Sequence, residues 1–352
     1  MSLLLISASD VLHSLDSFDT IVDARSEAEF ALDHLPGAVN WPTLDNAERQ
    51  AIGTLYKQVN AFEAKKRGAA RAAFNIARHI ERDVLARPRD WKPLAYCWRG
   101  GKRSGALALV LDQIGFRVQL LEGGYKAFRA AMVEDIGRLA VALQFRVVCG
   151  TTGSGKTRLL HALRDKGSQV LDLEALACHR SSVLGAVPGQ AQPSQKAFDT
   201  RVWNALRRFD PQFPVFVESE SKKVGNVAVP TTLMDAIRDS PCIRLALPDD
   251  ERVALLLEEY DYFVRDPQAF CARLEALTEL RGKSVVDGWV AAVAGGRIAA
   301  VVLELLTKHY DPVYLQSMRR NFRNFGAAQT VPVHDRSAAS MSDLATQLAA
   351  CA

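Results

Sequence analysis

The chain has 352 residues, enough for two cores of ordinary domain size and too few for three. Hydrophobic residues make up 48% and charged ones 24%, with 22 Gly and 14 Pro, which excludes a disordered, collagenous or low-complexity chain. The 44 basic and 40 acidic side chains leave a formal charge of +4, too small to establish a nucleic-acid partner and compatible with a local basic patch.

From the N-terminus, the apolar run in MSLLLISASD lacks a basic start and a small-residue cleavage signal, and it is read as a first strand and not as a targeting peptide. FDTIVDAR, PLAYCW and FRVQLLEGG are the next expected strands. Between the last two, SGALALVLDQIG carries apolar residues at helical spacing behind a Ser and before a terminating Gly. Residues 127–144 are expected to form a docked helical connection rather than a floppy linker. FRVVCG, SQVLDLE, FPVFVESE and CIRLALP then repeat the strand pattern, and the sequence after Asp249 turns mostly helical. The longest greasy stretch, Val290 to Leu306, is broken by Arg297 and Glu304, which argues against a membrane span. No internal repeat is found, and the alternation of short apolar runs with helices predicts a parallel α/β architecture, with domains at 1–135 and 136–352. The six cysteines, Cys97, Cys149, Cys178, Cys242, Cys271 and Cys351, show neither CxxC pairing nor metal-ligand rhythm. That argues against a disulfide scaffold or a zinc site and points to a reducing cytoplasm.

Cys97 ends the strand PLAYC and opens the loop Trp98-Arg99-Gly100-Gly101-Lys102-Arg103-Ser104 ahead of a helix. Backbone N–H groups, the helix N-terminus and the cations Arg99, Lys102 and Arg103 favour negative charge at the sulfur, so Cys97 is the candidate nucleophile. The same cradle suits a persulfide or perselenide anion once the thiolate has accepted sulfur or selenium. An inert buried cysteine is the alternative, and the other cysteines take it, with Cys149 buried beside the next loop.

Gly150-Thr151-Thr152-Gly153-Ser154-Gly155-Lys156-Thr157 fits GxxxxGK[ST], follows an apolar strand and precedes the helical stretch TRLLHALRD. The glycines let successive N–H groups converge on phosphate oxygens, Lys156 adds a mobile cation, and Thr157 would offer its hydroxyl to a Mg²⁺ ion. Asp172, Glu174 and Glu218 at strand ends compete for the acidic position beside that ion, and a solvated strand end is the alternative for each. No motif specifies a base, so the loop indicates a diphosphate or a triphosphate and not ATP.

DARSEAEFALDHLPGAVNWP, CWRGGKRS and LEGGYKAFR together resemble a rhodanese domain over about the first third of the chain. Followed by GTTGSGKT, and with the further hallmarks IGTLYKQ, DLEALACHRSSVLG, FVESESKKVG and HYDPVY, they make the chain similar to the tRNA 2-selenouridine synthase family over nearly its whole length. Ser181 in HRSSVLG stands where that family leads one to expect a glycine. The resemblance implies a rhodanese-like parallel-sheet domain followed by a P-loop NTPase-like α/β domain with a helical C-terminal part. It implies that selenium from selenophosphate replaces sulfur in 2-thiouridine at the anticodon wobble position of tRNA, by way of geranylation of that sulfur from geranyl diphosphate. Cys97 would then be catalytic and residues 150–157 would hold the diphosphate. There would be no bound organic cofactor, and a selenophosphate-supplying enzyme would be a partner.

A tRNA partner needs a basic face, and three stretches offer one: Lys65-Lys66-Arg67 with Arg71, Arg78 and Arg82; Arg207-Arg208; and Arg319-Arg320 with Arg323, the last interleaved with Phe322 and Phe325 for base stacking. Solvated helix faces are the alternative for each. Trp41 and Trp98 could line a prenyl pocket or be plain core. Two other readings remain: a rhodanese-type sulfurtransferase fused to a P-loop kinase, and a nucleotide-gated binding module whose loops merely hold anions. The sequence leaves the choice of tRNA and the oligomeric state open.

Overall fold

A computed structural model describes residues 3–180, 185 and 189–350. The expectations at Ser181 and Cys351 fall outside the described residues. The chain folds into two compact units, Met1–Arg138 with Pro193–Asn204, and Leu139–Gln192 with Ala205–Ala352.

The first unit is built on the strands β1 (Leu4–Ile6), β2 (Thr20–Asp23), β3 (Ala38–Asn40), β4 (Pro93–Tyr96) and β5 (Gln119–Leu121), in the order β1-β5-β4-β2-β3 with every pair parallel. TIVD and PLAY are buried along their whole length. Such unbroken burial belongs to inner strands of a parallel sheet covered on both faces. Helix Lys102–Ile114 stops where Gly115 turns left-handed at φ 110°. It packs Leu107, Ala108 and Leu111 into a core with Val22, Ala95, Trp91 and Phe116.

The second unit repeats the plan with β6 (Phe145–Cys149), β7 (Gln169–Leu171), β8 (Val215–Glu218), a short antiparallel pair β9 (Lys223–Val224) and β10 (Val227–Ala228), then β11 (Cys242–Ala246) and β12 (Gln329–Pro332). Its main sheet is parallel, ordered β12-β11-β6-β8-β7. β6 is central, and Leu159, Leu160 and Leu163 of helix Lys156–Asp165 pack with Val148, Phe216 and Leu245. β12 lies at the sheet edge, where a terminal Pro332 costs no ladder bond, and it escapes a reading of the sequence after Asp249 as helical. The helices between Asp249 and Asn321 do form, with a separate cluster that includes Phe263, Phe270, Trp289, Val301 and Leu305.

The units differ from the division expected at residue 135. Helix Gly124–Ala142 runs unbroken through that position, and the first unit gives way to the second after Arg138. Residues 193–204 lie in sequence between strands of the second sheet yet belong to the first unit. Phe198, Val202 and Trp203 are fully buried there; Trp203 packs edge-on to Phe128 and donates to Asp135, and Thr200 donates to Asp33. Among the described residues, no helix is long and apolar enough to cross a membrane.

Candidate functional site

In both parallel sheets a central strand delivers its glycine-rich loop at the carboxyl edge, where open parallel sheets bind their ligands. Cys97 follows β4, and Gly150 follows β6.

Cys97 is 3% exposed, and its Sγ accepts hydrogen bonds from the Gly101 N–H at 3.3 Å and the Ser104 hydroxyl at 3.1 Å. Ser104 is itself fully buried, so the hydroxyl is held on the sulfur. The segment LEGGYKAFR fixes the loop from behind: Tyr125 N–H donates to the Cys97 carbonyl at 2.8 Å, and Lys126 N–H to that of Trp98 at 3.0 Å. Approach is so close that a Cβ on Gly124 would lie 2.2 Å from the Cys97 carbonyl oxygen, and one on Gly100, at φ +62°, 2.5 Å from that of Leu121. Of the hydrogen bonds to Sγ among the described residues, none comes from the cations expected to act on the sulfur. Arg99 and Lys102 are exposed, and Arg103 donates to Glu29 at 2.8 Å. The structure thus supplies the cradle from one backbone amide and one serine.

The phosphate loop brings all its expected members together. Gly153 and Gly155 take φ +77° and +82°, and a Cβ on Gly155 would sit 2.4 Å from the methyl of Met341. Gly155 caps helix Lys156–Asp165, whose first N–H groups have no partner within the helix. Lys156 Nζ donates to the carbonyls of Gly150 and Thr151, at 2.7 and 3.3 Å. The Ser154 hydroxyl, buried within the loop, has no hydrogen-bond partner among the described residues, as expected of a donor that meets a ligand oxygen.

The acidic candidates separate. Asp172 caps helix Leu173–Ala177 through Ala175 N–H and accepts from His161 and Arg164, which is a structural role. Glu174 and Glu218 converge: Thr157 donates to Glu174 at 3.3 Å, Glu174 N–H donates to Glu218 Oε1 at 2.9 Å, and Glu218 Oε2 is buried without a partner among the described residues. Burial first, then repulsion from Glu220 and Asp172, pushes Glu174 up to about 8 against the pull of Lys156 and Thr157. Burial and the charges of Asp172, Glu220 and Glu174 push Glu218 up as well. Thr157 and Glu218 are both tied to Glu174, and a donor set of the Thr157 hydroxyl and the lone Glu218 oxygen fits a Mg²⁺ that keeps most of its ligands from water and phosphate. Among the described residues no three His, Cys, Asp or Glu side chains form an all-protein metal site.

Several residues at the loops are not evident from their sequence positions. Tyr314, in HYDPVY, accepts from Gly150 N–H at 2.8 Å and lies 5.6 Å from Lys156 Nζ across its ring. Arg252, 4% exposed, donates to the Thr152 carbonyl at 2.8 and 3.0 Å while paired with Asp249 and Asp311. Glu220 is the acid nearest in sequence to Glu218 and the one whose charge weighs most on Glu174. The repeated acid in VESES and the HYDP motif were the available signals.

Thr152 also lines an apolar pocket with Leu256, Phe263, Val302, Leu306 and Tyr310, and the Tyr310 hydroxyl has no hydrogen-bond partner among the described residues. Trp41 is core: it stacks on His79 at 5.8 Å and is 4% exposed. Of the basic stretches, Lys65, Lys66, Arg67, Arg71, Arg78 and Arg82 are all exposed, as are Arg319, Arg320, Arg323 and Arg208. Phe322 and Phe325 are buried at 4% and 8%, so they stack no bases. Cys149 is buried beside the loop, where a hydrogen bond with Cys242 and then burial push its thiol up.

Residues 143–283 match the family described as the tRNA 2-selenouridine synthase AAA domain, and residues 7–131 match the rhodanese-like domain. The chain is similar to a tRNA 2-selenouridine synthase of Nitrosomonas europaea, 36% identical over 71% of this chain and 66% of that one, so the match spans just under two thirds of that relative. It is similar to a tRNA 2-selenouridine synthase of Bdellovibrio bacteriovorus, 30% identical over 85% of this chain and 89% of that one. Among solved structures, a rhodanese-related protein of Thermoplasma volcanium is 21% identical, covering 36% of this chain and 89% of that one, with a TM-score of 0.22.

Proposed function

The chain belongs to the tRNA 2-selenouridine synthase family, and on that premise we propose that it replaces sulfur by selenium in the wobble 2-thiouridine of tRNA, through an S-geranyl intermediate. The observation that carries the geranyl step is Thr152, which is part of the phosphate loop and of the wall of an apolar pocket. A loop that held only a nucleotide triphosphate would have no use for a hydrocarbon pocket at its rim, whereas a prenyl diphosphate has one end for each. The diphosphate of geranyl diphosphate would lie on the helix N-terminus, Ser154 and Lys156, with its chain among Leu256, Phe263 and Leu306.

The first step is a substitution at C1 of the prenyl donor. The thiouridine sulfur forms the C–S bond as the C1–O bond breaks, diphosphate leaves into the loop, and the N3 proton passes to solvent. Lys156 and the loop amides take up the charge that develops on the leaving oxygen. A Mg²⁺ held by Thr157 and Glu218 would add Lewis-acid stabilisation to the same oxygens. In the second step selenium of selenophosphate attacks C2, the C2–S bond breaks, and geranyl thiol leaves with a proton from water. Hydrolysis of the P–Se bond releases phosphate. Both steps are substitutions without electron transfer, so no external reductant is needed. Cys97 serves the second step, in a cradle whose donors, Gly101 N–H and Ser104, match an anionic sulfur or selenium. A cytosolic location, with a selenophosphate-supplying enzyme as neighbour, accords with this reading.

Nucleoside analysis of thiolated tRNA incubated with the protein, geranyl diphosphate and selenophosphate tests it. Geranylated nucleoside with the prenyl donor alone, and selenouridine when both are present, are expected. Selenouridine formed at the same rate without geranyl diphosphate would remove the prenyl step, and unchanged tRNA in every mixture would overturn the reading.

A further inference from the structure

Within the first unit, beside the Cys97 loop, lies an open cleft of about 320 Å³ that neither step above uses. Its walls include Glu29, Arg49, Trp98, Arg103, Tyr125 and Lys196. The charges do not cancel. Glu29 accepts from Arg103 at 2.8 Å and is ion-paired with Arg49 at 2.9 Å, so two guanidiniums share one carboxylate. Against the burial that would raise it, Arg103 and Arg49 hold Glu29 below the usual carboxylate range, and it stays anionic. Arg25, deeper in the same wall, is matched by Asp23 at 2.6 Å. Arg49, Arg103 and Lys196 against Glu29 leave a surplus of two positive charges. The cleft therefore calls for an anion.

One side is aromatic. The Trp98 and Tyr125 rings lie 5.4 Å apart, and Lys196 Nζ stands 5.6 Å from the Trp98 ring centre. Trp98 directly follows Cys97, and Lys126 N–H fixes its carbonyl at 3.0 Å, so the ring and the sulfur ride on one rigid stretch of backbone. Size separates the ligands that would satisfy these groups. A volume near 320 Å³ is at the lower end of the roughly 300–1,000 Å³ that encloses a multi-ring ligand, and a bare tetrahedral anion would leave most of it, and the aromatic wall, unused. Positive charge also continues outside the cleft. Arg67, Arg71, Phe74 and Arg78 follow one another at helical spacing on one exposed face of helix Ala61–His79, and Arg71 reaches Glu48, the neighbour of Arg49, at 3.8 Å.

We propose that this cleft receives one nucleotide of the RNA substrate, its base against Trp98 and its phosphate among Arg49, Arg103 and Lys196. The inference rests on the tRNA reading above and names the place where that substrate is gripped. A flipped base stacked on an aromatic side chain, with cations on the flanking backbone, is how single-stranded RNA loops are held. Lys196 is a positioning residue supplied by the 193–204 segment.

The test uses the full chain and a short anticodon stem-loop RNA with 2-thiouridine at the wobble position, followed by fluorescence anisotropy across a salt series. Lys196→Ala and Arg49→Ala are expected to weaken binding about tenfold each and to lower the salt slope by about one unit. Trp98→Ala should weaken it about tenfold or more, with Trp98→Phe restoring most of it. Arg49 is exposed and Lys196 half-buried, and an unchanged unfolding temperature would confirm that the fold is intact. If these variants bind the stem-loop like the wild type while wild-type turnover persists, the cleft proposal fails and the function stands. Loss of affinity for selenophosphate with RNA binding intact would make this the donor's site and equally overturn it. If the wild type neither binds nor modifies the stem-loop, both readings fall.

Discussion

The Cys97 loop and the phosphate loop occupy the same place in two similar sheets, the carboxyl end of an inner parallel strand, yet they are finished to different degrees. Around Cys97 the donors are already spent on the sulfur, and Gly100 and Gly124 leave no room for a side chain. Around Lys156 a buried serine hydroxyl and a glutamate oxygen lack partners among the described residues, and the carboxylates beside Thr157 are pushed toward protonation. The first loop holds a covalently tethered atom, so the folded chain can satisfy it alone. On the proposed reading the second is completed by the substrate's diphosphate and, with Mg²⁺, by counter-charge. Preorganisation is complete where the reacting group belongs to the protein and partial where it belongs to the substrate.

The comparison breaks most sharply at Cys97. Cys97→Ala should reduce selenium incorporation by about 1,000-fold or more, since the group on which the proposed selenium step depends is removed, while geranylation from the prenyl donor persists. Equal loss of both products would show that the loops are not separable. Lys156→Ala should show the reverse split, with geranylated product slowed about 100-fold by loss of one preorganised cation. An unaltered geranylation rate would remove the loop from that step. A smaller effect is expected at Ser104. Ser104→Ala deletes one hydrogen bond to the sulfur, which in the proposed step would meet anionic sulfur or selenium and be worth about 1.5–3 kcal/mol, so the selenium step should slow roughly tenfold to a hundredfold with little change in unfolding temperature. A rate within about twofold of wild type would mean that the Gly101 amide suffices.

The strands that carry both loops were legible because TIVD, PLAY and FRVVC are short apolar runs that end at glycine-rich turns, and inner parallel strands look like little else. The loops were legible because Gly100 in the first and Gly150, Gly153 and Gly155 in the second answer close approaches, whereas Gly101 meets no neighbour. What stayed hidden was allegiance. The pattern of helix Gln195–Leu206 says that Phe198, Val202 and Trp203 face a core, and periodicity cannot say whose; they face the first unit. Phe322 and Phe325 failed for the same reason, because an aromatic among arginines reads alike whether it stacks on RNA or fills a core. Arg252 and Tyr314 reach the phosphate loop from more than ninety residues away, and only the fold brings them there.

The smallest expected effect is also the one that sets the two units against each other. In the second unit Glu174 binds its proton more tightly when folded, at about 8 against an ordinary 4.5. The stability it contributes is full below about pH 4.5 and is lost as pH rises through about 8, because over that window the folded state holds the proton that the unfolded chain has released. In the first unit His79 is buried between the Pro42 carbonyl, to which Nε2 bonds at 3.0 Å, and the Trp41 ring. Burial first, then the Arg82 and Arg78 charges, against the Pro42 hydrogen bond and Asp83, holds it below its ordinary 6.5. Its contribution is present above about pH 6.5 and is lost as pH falls through the lowered value, since the unfolded chain then takes up a proton that the folded state resists. Calorimetry at a series of pH values between about 5 and 8 should therefore show the two units moving in opposite directions by a few degrees, the first gaining and the second losing stability as pH rises. Glu174→Gln should flatten the second trend and leave the first, and His79→Gln the converse. Parallel trends in the wild type would mean that other groups outweigh both.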